Sequence, residues 1–182
     1  MTVPTTSVTC VFATVPPVLA VTSWFVGGTG STPLAPFHIC AGGTASGIPA
    51  YAVQKSNLVM ERHKESVRHA HEMGVKIAMG TDCGTPFNMA GKNALELELL
   101  TQNGLSAAEA IMATTRVAAE VIGIAEHTGT LEAGKWADII LVQGDPLADI
   151  RVLQQAERIT CVIKAGQIVK GMAPGIPATV GR

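Results

Sequence analysis

Aromatic residues are scarce in this sequence, and its cysteines do not group. Phe, Trp and Tyr make up 4% of the 182 residues, while hydrophobic residues as a whole make up 47%. A core of Ala, Val, Ile and Leu is typical of α/β enzymes. The cysteines include no C-x-x-C pair, which disfavours a zinc knuckle or a redox dithiol and favours a reduced, cytoplasmic setting. They are Cys10, Cys40, Cys83 and Cys161.

An excess of one charge is also absent, because 13 basic and 14 acidic residues give a formal net charge of −1. Nucleic acids and anionic membranes bind proteins through basic patches, so neither partner is expected for this chain. The length is sufficient for one domain with a sizeable core.

Charge is missing altogether from the first 54 residues, since the first charged side chain is Lys55. A signal peptide or membrane anchor is disfavoured, because no Lys or Arg precedes the apolar run and Pro16 and Pro17 interrupt it. Two other interpretations stay open: buried strand and loop inside a larger α/β body, or residues that are not native coding sequence.

From Ile48 onward, apolar periodicity and stop signals become regular. The predicted elements are a helix over about 49–73 ended by Gly74, a strand over 75–79 ended by Gly80, a helix over 94–103 ended by Gly104, and a helix over 106–122 with a capping box at Ser106 and Glu109 and a stop at Gly123. This order is typical of a β/α barrel or a doubly wound sheet.

The last part of the chain is predicted to be β-rich. A strand over Ala137–Val142 ends at a Gly-Asp-Pro turn, and two more strands flank a two-residue hairpin connection at Ala165 and Gly166. Beyond Lys170 the sequence predicts loop.

Asp82 is the first candidate for chemistry, because it closely follows the predicted strand over 75–79. Side chains just past the C-terminal ends of barrel strands point into the active site. A carboxylate there can bind a divalent metal and take a proton from metal-bound water. The alternative is an ordinary turn or capping aspartate, which the local sequence alone favours.

The histidines do not form a metal-ligand pattern. His69 and His71 lie two residues apart in a predicted helix, so a rotation of roughly 200° sends them to opposite sides. Val75 stands where an H-E-x-x-H motif needs its second histidine, and His63 is followed four residues later by Val67. We predict that His63, His69 and His71 are solvated residues on the helix surface.

Other reactive residues are weighed in the same way. Cys83 has no neighbouring His or Lys to activate it, so a small packed residue is favoured over a nucleophile. Glu96 and Glu98 are two residues apart on a predicted helix and face apart, so they are not an acid–base pair. Nucleotide-binding and esterase functions are disfavoured, because GxGxxG, P-loop and GxSxG motifs are absent from the sequence.

Four stretches together resemble a known family. They are GVKIAMGTDCGTPFN, LELELLTQNGLSAAEAIMATTRVAAEVIGI, GTLEAGKWADIILVQGDPLADIRVL and ITCVIKAGQIV. In this order they resemble the C-terminal portion of metal-dependent amidohydrolases, particularly the imidazolonepropionase and Xaa-Pro or Xaa-Arg dipeptidase-like branch. The resemblance covers about residues 47–170.

The resemblance implies an α/β fold, namely the C-terminal fragment of a (β/α)8 TIM-type barrel with part of a small β-sandwich. The barrel portion, with its last strand and helices, is assigned to residues 47–128 and the sandwich portion to 129–171. Residues 1–46 remain an uncharged segment of unclear structure, and 172–182 are expected to form a flexible tail.

The resemblance also implies hydrolysis of amide or peptide C–N bonds in small N-acyl amino acids or dipeptides by metal-activated water. Asp82 matches the aspartate after strand eight, which in the family binds a divalent metal, expected to be zinc, and acts as general base and acid. The other family ligands lie upstream of what this chain contains. Ala90 stands where relatives often carry a substrate-contacting histidine.

We therefore expect a truncated amidohydrolase that is inactive alone and does not hold its metal stably. A whole (β/α)8 barrel takes about 250 residues, which exceeds this chain. The alternative is a non-catalytic half-barrel interaction module that assembles with another chain. An open sheet edge and uncovered helix faces would favour homo-oligomers or aggregation.

Overall fold

The computed structural model of the protein describes residues 8–11, 43–81, 83 and 90–171. Two compact units divide the chain: a helical unit, Leu19–Thr114, and a sheet unit made of Met1–Val18 and Thr115–Arg182. None of the helices in the described ranges combines the length and the apolar character needed to cross a membrane.

The first helix, α1, spans Ala50–Glu72 and confirms the helix predicted over 49–73. Its buried face carries Ser56, Val67 and Ala70. At its end, Gly74 has a φ of 73° and its N–H donates to the His71 carbonyl, while the Val75 N–H donates to the Ala70 carbonyl. These two bonds form a Schellman motif, which is why the helix ends at the predicted glycine.

The segment after α1 differs from the prediction, because residues 75–81 form no strand. Ile77 and Thr81 are nevertheless buried, and the Met79 N–H donates to the Ala113 carbonyl at 2.9 Å. A β-strand requires a neighbouring strand to bond its backbone, and the described part of the helical unit supplies none. The apolar run therefore packs as irregular backbone against a helix end.

Two short helices complete the described part of the helical unit. The helix α2 spans Leu95–Gln102, and the glycine predicted to end it, Gly104, has a φ of 106°. The helix α3 spans Ala107–Thr114 and packs against α2. Both helices fall within the predicted ranges.

The capping box predicted at the start of α3 is present. The Ser106 N–H and hydroxyl both donate to Glu109 Oε2 at 2.7 Å, and the Glu109 N–H donates to Ser106 Oγ at 3.2 Å. These bonds satisfy backbone donors that the first turn of a helix otherwise leaves free.

The predicted single helix over 106–122 is wrong, because the structure has two. The fourth helix, α4, spans Arg116–Val121, and Thr115 between them has a φ of −112° and a ψ of −86°. The Thr114 hydroxyl donates to the Ala110 carbonyl at 2.8 Å, a local bond that competes with regular helix geometry. Gly123, with a φ of 76°, follows α4 as predicted.

The sheet unit is built on a four-stranded antiparallel sheet in the order β1-β2-β3-β4. The strands are Val8–Val11, Ile139–Gln143, Ile159–Lys164 and Gln167–Gly171. The strand β2 begins two residues later and ends one residue later than predicted. The strand β1 lies in the segment whose structure the sequence left unclear, and its Cys10 is opposite Leu141 of β2.

One core cluster on this sheet consists of the buried Cys161 and Ile163 with four partly buried neighbours, and Val142 of β2 is also completely buried. The predicted hairpin connection between β3 and β4 is confirmed: Ala165 and Gly166 have φ values of 49° and 78°. The Asp138 side chain accepts a hydrogen bond from the Ala165 N–H at 2.6 Å, and the Gly166 N–H donates to the Ala137 carbonyl. These bonds fix the hairpin turn to the residues just before β2.

Candidate functional site

The candidate catalytic residue Asp82 lies outside the described residues, whereas both of its chain neighbours are described. Thr81, directly before it, is buried at 3% exposure, whereas Cys83, directly after it, is exposed. Thr81 thus belongs to the core and Cys83 to the surface.

The segment that leads to Asp82 is held by helices at both ends. At its start, the Val75 N–H donates to the Ala70 carbonyl in the last turns of α1. Near its end, the Met79 N–H donates to the Ala113 carbonyl, and Thr114 Oγ1 lies 3.1 Å from Met79 Sδ. Irregular backbone is thereby fixed by bonds to α1 and α3.

The predicted divergence of His69 and His71 is confirmed by their different surroundings. The His69 side chain is 73% exposed and lies 3.8 Å from Glu72, as expected for a solvated residue. His71 is only 31% exposed, and its Nε2 lies 3.0 Å from Glu109 Oε1. The prediction of a solvated His71 is wrong, because the end of α1 packs beside the start of α3. His63 is partly buried, with its Nδ1 away from solvent.

The contacts among His71, Glu109 and Ser106 place a carboxylate between an imidazole and a hydroxyl. Hydrogen bonds from His71 and then from Ser106 lower the pKa of Glu109 to about 2. A serine nucleophile needs its hydroxyl bonded to the imidazole, which takes the proton. Here the Ser106 hydroxyl donates to the carboxylate instead. The arrangement therefore serves the capping of α3, not nucleophilic catalysis.

Glu96 in α2 is the titratable residue that the sequence argument missed. Its side chain is completely buried, and burial raises its pKa to about 8. Glu98 is only partly buried and accepts a hydrogen bond from Gln102, so the prediction that the two acids face apart is confirmed. The helical spacing in the sequence indicates this burial, because Glu96 shares one helix face with Leu99, Leu100 and Asn103, which are buried.

Both described side-chain thiols are free: Cys83 is exposed and Cys161 is buried. The prediction that Cys83 is a packed residue is wrong, since the chain has already reached the surface there. The loop residue Ala90 is also exposed.

A metal centre needs several ligands within reach of one ion, and a catalytic zinc normally has three protein ligands. Within the described ranges, no group of three His, Cys, Asp or Glu side chains meets that requirement. Asp82, the metal ligand that the family resemblance implies for this chain, lies outside these ranges.

Comparison with known proteins finds similarity to amidohydrolases. The model of the Amidohydrolase family matches residues 38–169. Ochratoxinase from Aspergillus niger is 37% identical over 124 residues, which cover 67% of this chain and 25% of the ochratoxinase. Imidazolonepropionase from a Bradyrhizobium species is 34% identical over 89 residues, or 46% of this chain and 21% of that protein.

Solved structures agree with the sequence comparison. A Xaa-Pro dipeptidase with methionine bound in its active site matches with a TM-score of 0.61 and 36% identity, over 68% of this chain and 29% of the dipeptidase. The crystal structure of A. niger ochratoxinase matches with a TM-score of 0.60 and 35% identity, over 74% and 30% of the two chains.

The chain spans about a quarter of the length of the curated ochratoxinase that it matches. The family match nevertheless extends from residue 38 to residue 169 and includes every stretch that carried the predicted resemblance. The chain belongs to the amidohydrolase family.

Proposed function

We propose that this chain contributes the C-terminal portion of a hydrolase that cleaves amide or peptide C–N bonds in small N-acyl amino acids or dipeptides. The family match over residues 38–169 carries the proposal. The similarity to a Xaa-Pro dipeptidase supports the dipeptide class of substrate. The free thiols of Cys83 and Cys161 are consistent with a cytoplasmic protein.

Residues 47–128 are proposed to correspond to the last part of a (β/α)8 barrel, and residues 129–171 to part of a small β-sandwich. The antiparallel sheet β2-β3-β4 falls entirely within the second range, which supports that assignment. The boundary between the two compact units lies between Thr114 and Thr115, whereas the proposed barrel portion ends at residue 128. The proposed barrel portion therefore also includes α4, which belongs to the sheet unit.

Asp82 is proposed as the carboxylate that binds the divalent metal, zinc, and that takes up a proton and passes it to the leaving amine. Support comes from its position between buried Thr81 and exposed Cys83, at the end of a segment bonded to α1 and α3. One carboxylate does not hold a catalytic zinc. The 182-residue chain is therefore expected to be inactive alone.

The first test is the zinc content of the purified 182-residue chain after dialysis, together with hydrolysis of a panel of N-acetyl amino acids and dipeptides. We expect zinc far below one equivalent and no turnover. Asp145→Asn is the matched control for Asp82→Asn, because Asp145 caps an exposed turn in the sheet unit. Stoichiometric zinc and turnover, both lost only in Asp82→Asn, would refute the inactivity while supporting the role of Asp82.

A chimera tests the catalytic role directly. Residues 38–169 replace the matching segment of A. niger ochratoxinase, and the activity of the parent enzyme is measured. We expect a folded, active chimera in which Asp82→Asn lowers kcat by a factor on the order of 100 or more, the loss typical of a general acid–base group. A folded chimera without activity, or one indifferent to Asp82→Asn, would contradict the proposal.

A second candidate function is a non-catalytic module that assembles with another chain. The exposed face of α1 favours it, because Tyr51 and Leu58 are 73% and 76% exposed. Large apolar side chains grouped on a surface mark contact sites.

A further inference from the structure

Glu96 occupies a position where a helix normally carries an apolar residue. It lies in the first turn of α2, and its side chain has no exposed area. Leu99, Leu100 and Asn103, which follow at intervals of three, four and seven residues, are buried on the same face. Within the described part of the chain, neither Glu96 Oε1 nor Oε2 has a hydrogen-bond partner.

Neighbouring charges do not compensate this carboxyl group. The titratable residues nearest to it in sequence and on the next helix are Lys92, Glu98 and Glu109, and no described residue bonds either carboxyl oxygen of Glu96. Glu98 accepts from Gln102. Glu109 is bonded by His71 and Ser106. Arg68 and His71 lie against Gly104, beyond the other end of α2.

Burial without a partner favours the protonated form of the group, because an ionised carboxylate needs water or donors that the core does not provide. The pKa of Glu96 is accordingly raised from 4.5 to about 8. At neutral pH the group is a carboxylic acid packed among leucines. Buried polar groups of this kind are rare in native proteins, and each calls for an explanation.

The turn that carries Glu96 is also the less firmly held end of α2. Its N-cap residue is Ala94, which provides no side-chain bond to the first turn. At this turn the Leu95 N–H donates to the Lys92 carbonyl at 3.2 Å and the Glu96 N–H to the Asn93 carbonyl at 3.0 Å. The neighbouring helix α3 has a complete capping box instead.

We propose that Glu96 is a proton-controlled latch on the first turn of α2. With its proton, the carboxyl group stays in the core and the turn remains packed. When the turn opens, the carboxyl group reaches water and releases the proton to solvent as it becomes a carboxylate. The opened turn also exposes Leu97, whose side chain is only 5% exposed in the closed form.

The sign of the pH dependence follows from proton binding. The closed form binds the proton up to about pH 8, whereas the open form loses it near the ordinary value of 4.5. Raising the pH between these values favours opening. The opening equilibrium is therefore expected to increase about tenfold per pH unit from about pH 5 to about pH 8, and to level off above that.

Amide hydrogen exchange on the full 182-residue chain, corrected for intrinsic exchange rates, tests the latch. We expect the amides of residues 95–100 to follow the tenfold increase per pH unit. Glu96→Gln, which keeps the shape without the titration, is expected to abolish it, and Glu96→Leu provides a second non-titrating variant. Glu98→Gln, on the same helix but partly exposed, is the matched control and retains the dependence.

Two outcomes would overturn the proposal. In the first, Glu96→Gln and Glu96→Leu show the same pH-dependent opening as the unaltered chain. In the second, carbon-13 NMR of the Glu96 carboxyl carbon in the folded chain gives a midpoint near 4.5. Either result separates the latch from the proposed hydrolase function, because both measurements are made on the chain without metal or substrate.

Discussion

At the scale of single residues, Glu109 makes the stability of α3 depend on acid pH. Its pKa is lowered to about 2 by hydrogen bonds from His71 and Ser106, while the unfolded value is 4.5. The stabilisation is therefore complete above about pH 4.5 and is lost as the pH falls towards 2. Glu109→Gln is expected to lower the free energy of unfolding by about 0.5–1 kcal/mol at pH 7, because the side chain is 42% exposed and solvent weakens its charge interactions.

Urea unfolding at pH 7 and at pH 2.5 measures this effect. The difference between Glu109→Gln and the unaltered chain should fall to about a quarter of its pH 7 value at pH 2.5, because the carboxyl group is then protonated on unfolding but still partly ionised in the folded chain. Glu65→Gln is the control, since Glu65 is exposed on α1 and forms no ion pair with a described residue. Equal destabilisation at both pH values would show that the charge of Glu109 is not responsible.

Sequence reasoning found residues whose role depends on local spacing, such as Ser106 and Glu109. It missed the burial of Glu96 and the partner of His71, because both depend on which helices pack together. Asp82 was a candidate from its position after a predicted strand, but only the family resemblance favoured a catalytic role over an ordinary turn aspartate.

At the scale of elements, Gly129 determines how closely its loop approaches α4. A β-carbon at Gly129 would lie 2.8 Å from Ala119 Cβ and 3.1 Å from the Arg116 Cα, and its φ is 93°. Gly134 has nearly the same φ, 92°, but nothing lies within 4 Å of its added carbon. Gly129→Ala should combine the left-handed backbone cost of about 1–2 kcal/mol with an overpacking cost of about 1–3 kcal/mol, whereas Gly134→Ala carries the first cost alone.

Urea unfolding of both variants, followed by a signal from the sheet unit such as Trp136 fluorescence, separates the two costs. Trp136 stacks on His127 in the same unit, with ring centroids 5.0 Å apart. If the two alanine variants lose the same stability, the close approach to α4 does not contribute.

Elements with local signals were predicted well. The helix α1 and the β3–β4 hairpin carry their stop and turn residues within their own sequence, at Gly74 and at Ala165-Gly166. The strand over 75–79 was not formed, because a strand depends on backbone partners distant in sequence. Thr115, where the predicted helix over 106–122 divides, has no equally strong local signal.

At the scale of the whole molecule, the order of motifs was more informative than any one motif. The match from residue 38 to residue 169 confirms the family that four stretches together had suggested. The metal ligands were not obtainable in this way, since such a site combines residues from several distant strands. The chain spans about a quarter of the ochratoxinase that it matches. The full set of metal ligands is therefore part of the proposed function.

Association of the chain is the property that distinguishes the proposed interpretations. Leu58 and Val59 follow Tyr51 by seven and eight residues on α1, so the three side chains lie within about 100° of each other around the helix, and all three are exposed. Covering these side chains with a partner is favourable by about 25 cal/mol per Å² of apolar surface removed from water. We therefore expect the chain to self-associate as its concentration rises.

Size-exclusion chromatography with light scattering, over a wide range of protein concentration, measures the association. Leu58→Glu should shift the chain towards monomer, because a charged side chain then replaces the most exposed apolar residue of the three. Leu147→Glu is the matched control, since Leu147 is 58% exposed but belongs to the sheet unit. A chain that stays monomeric at every concentration and unfolds cooperatively would contradict both the truncated-enzyme and the interaction-module interpretations, because each leaves barrel surfaces uncovered. It would favour an independent small α/β fold.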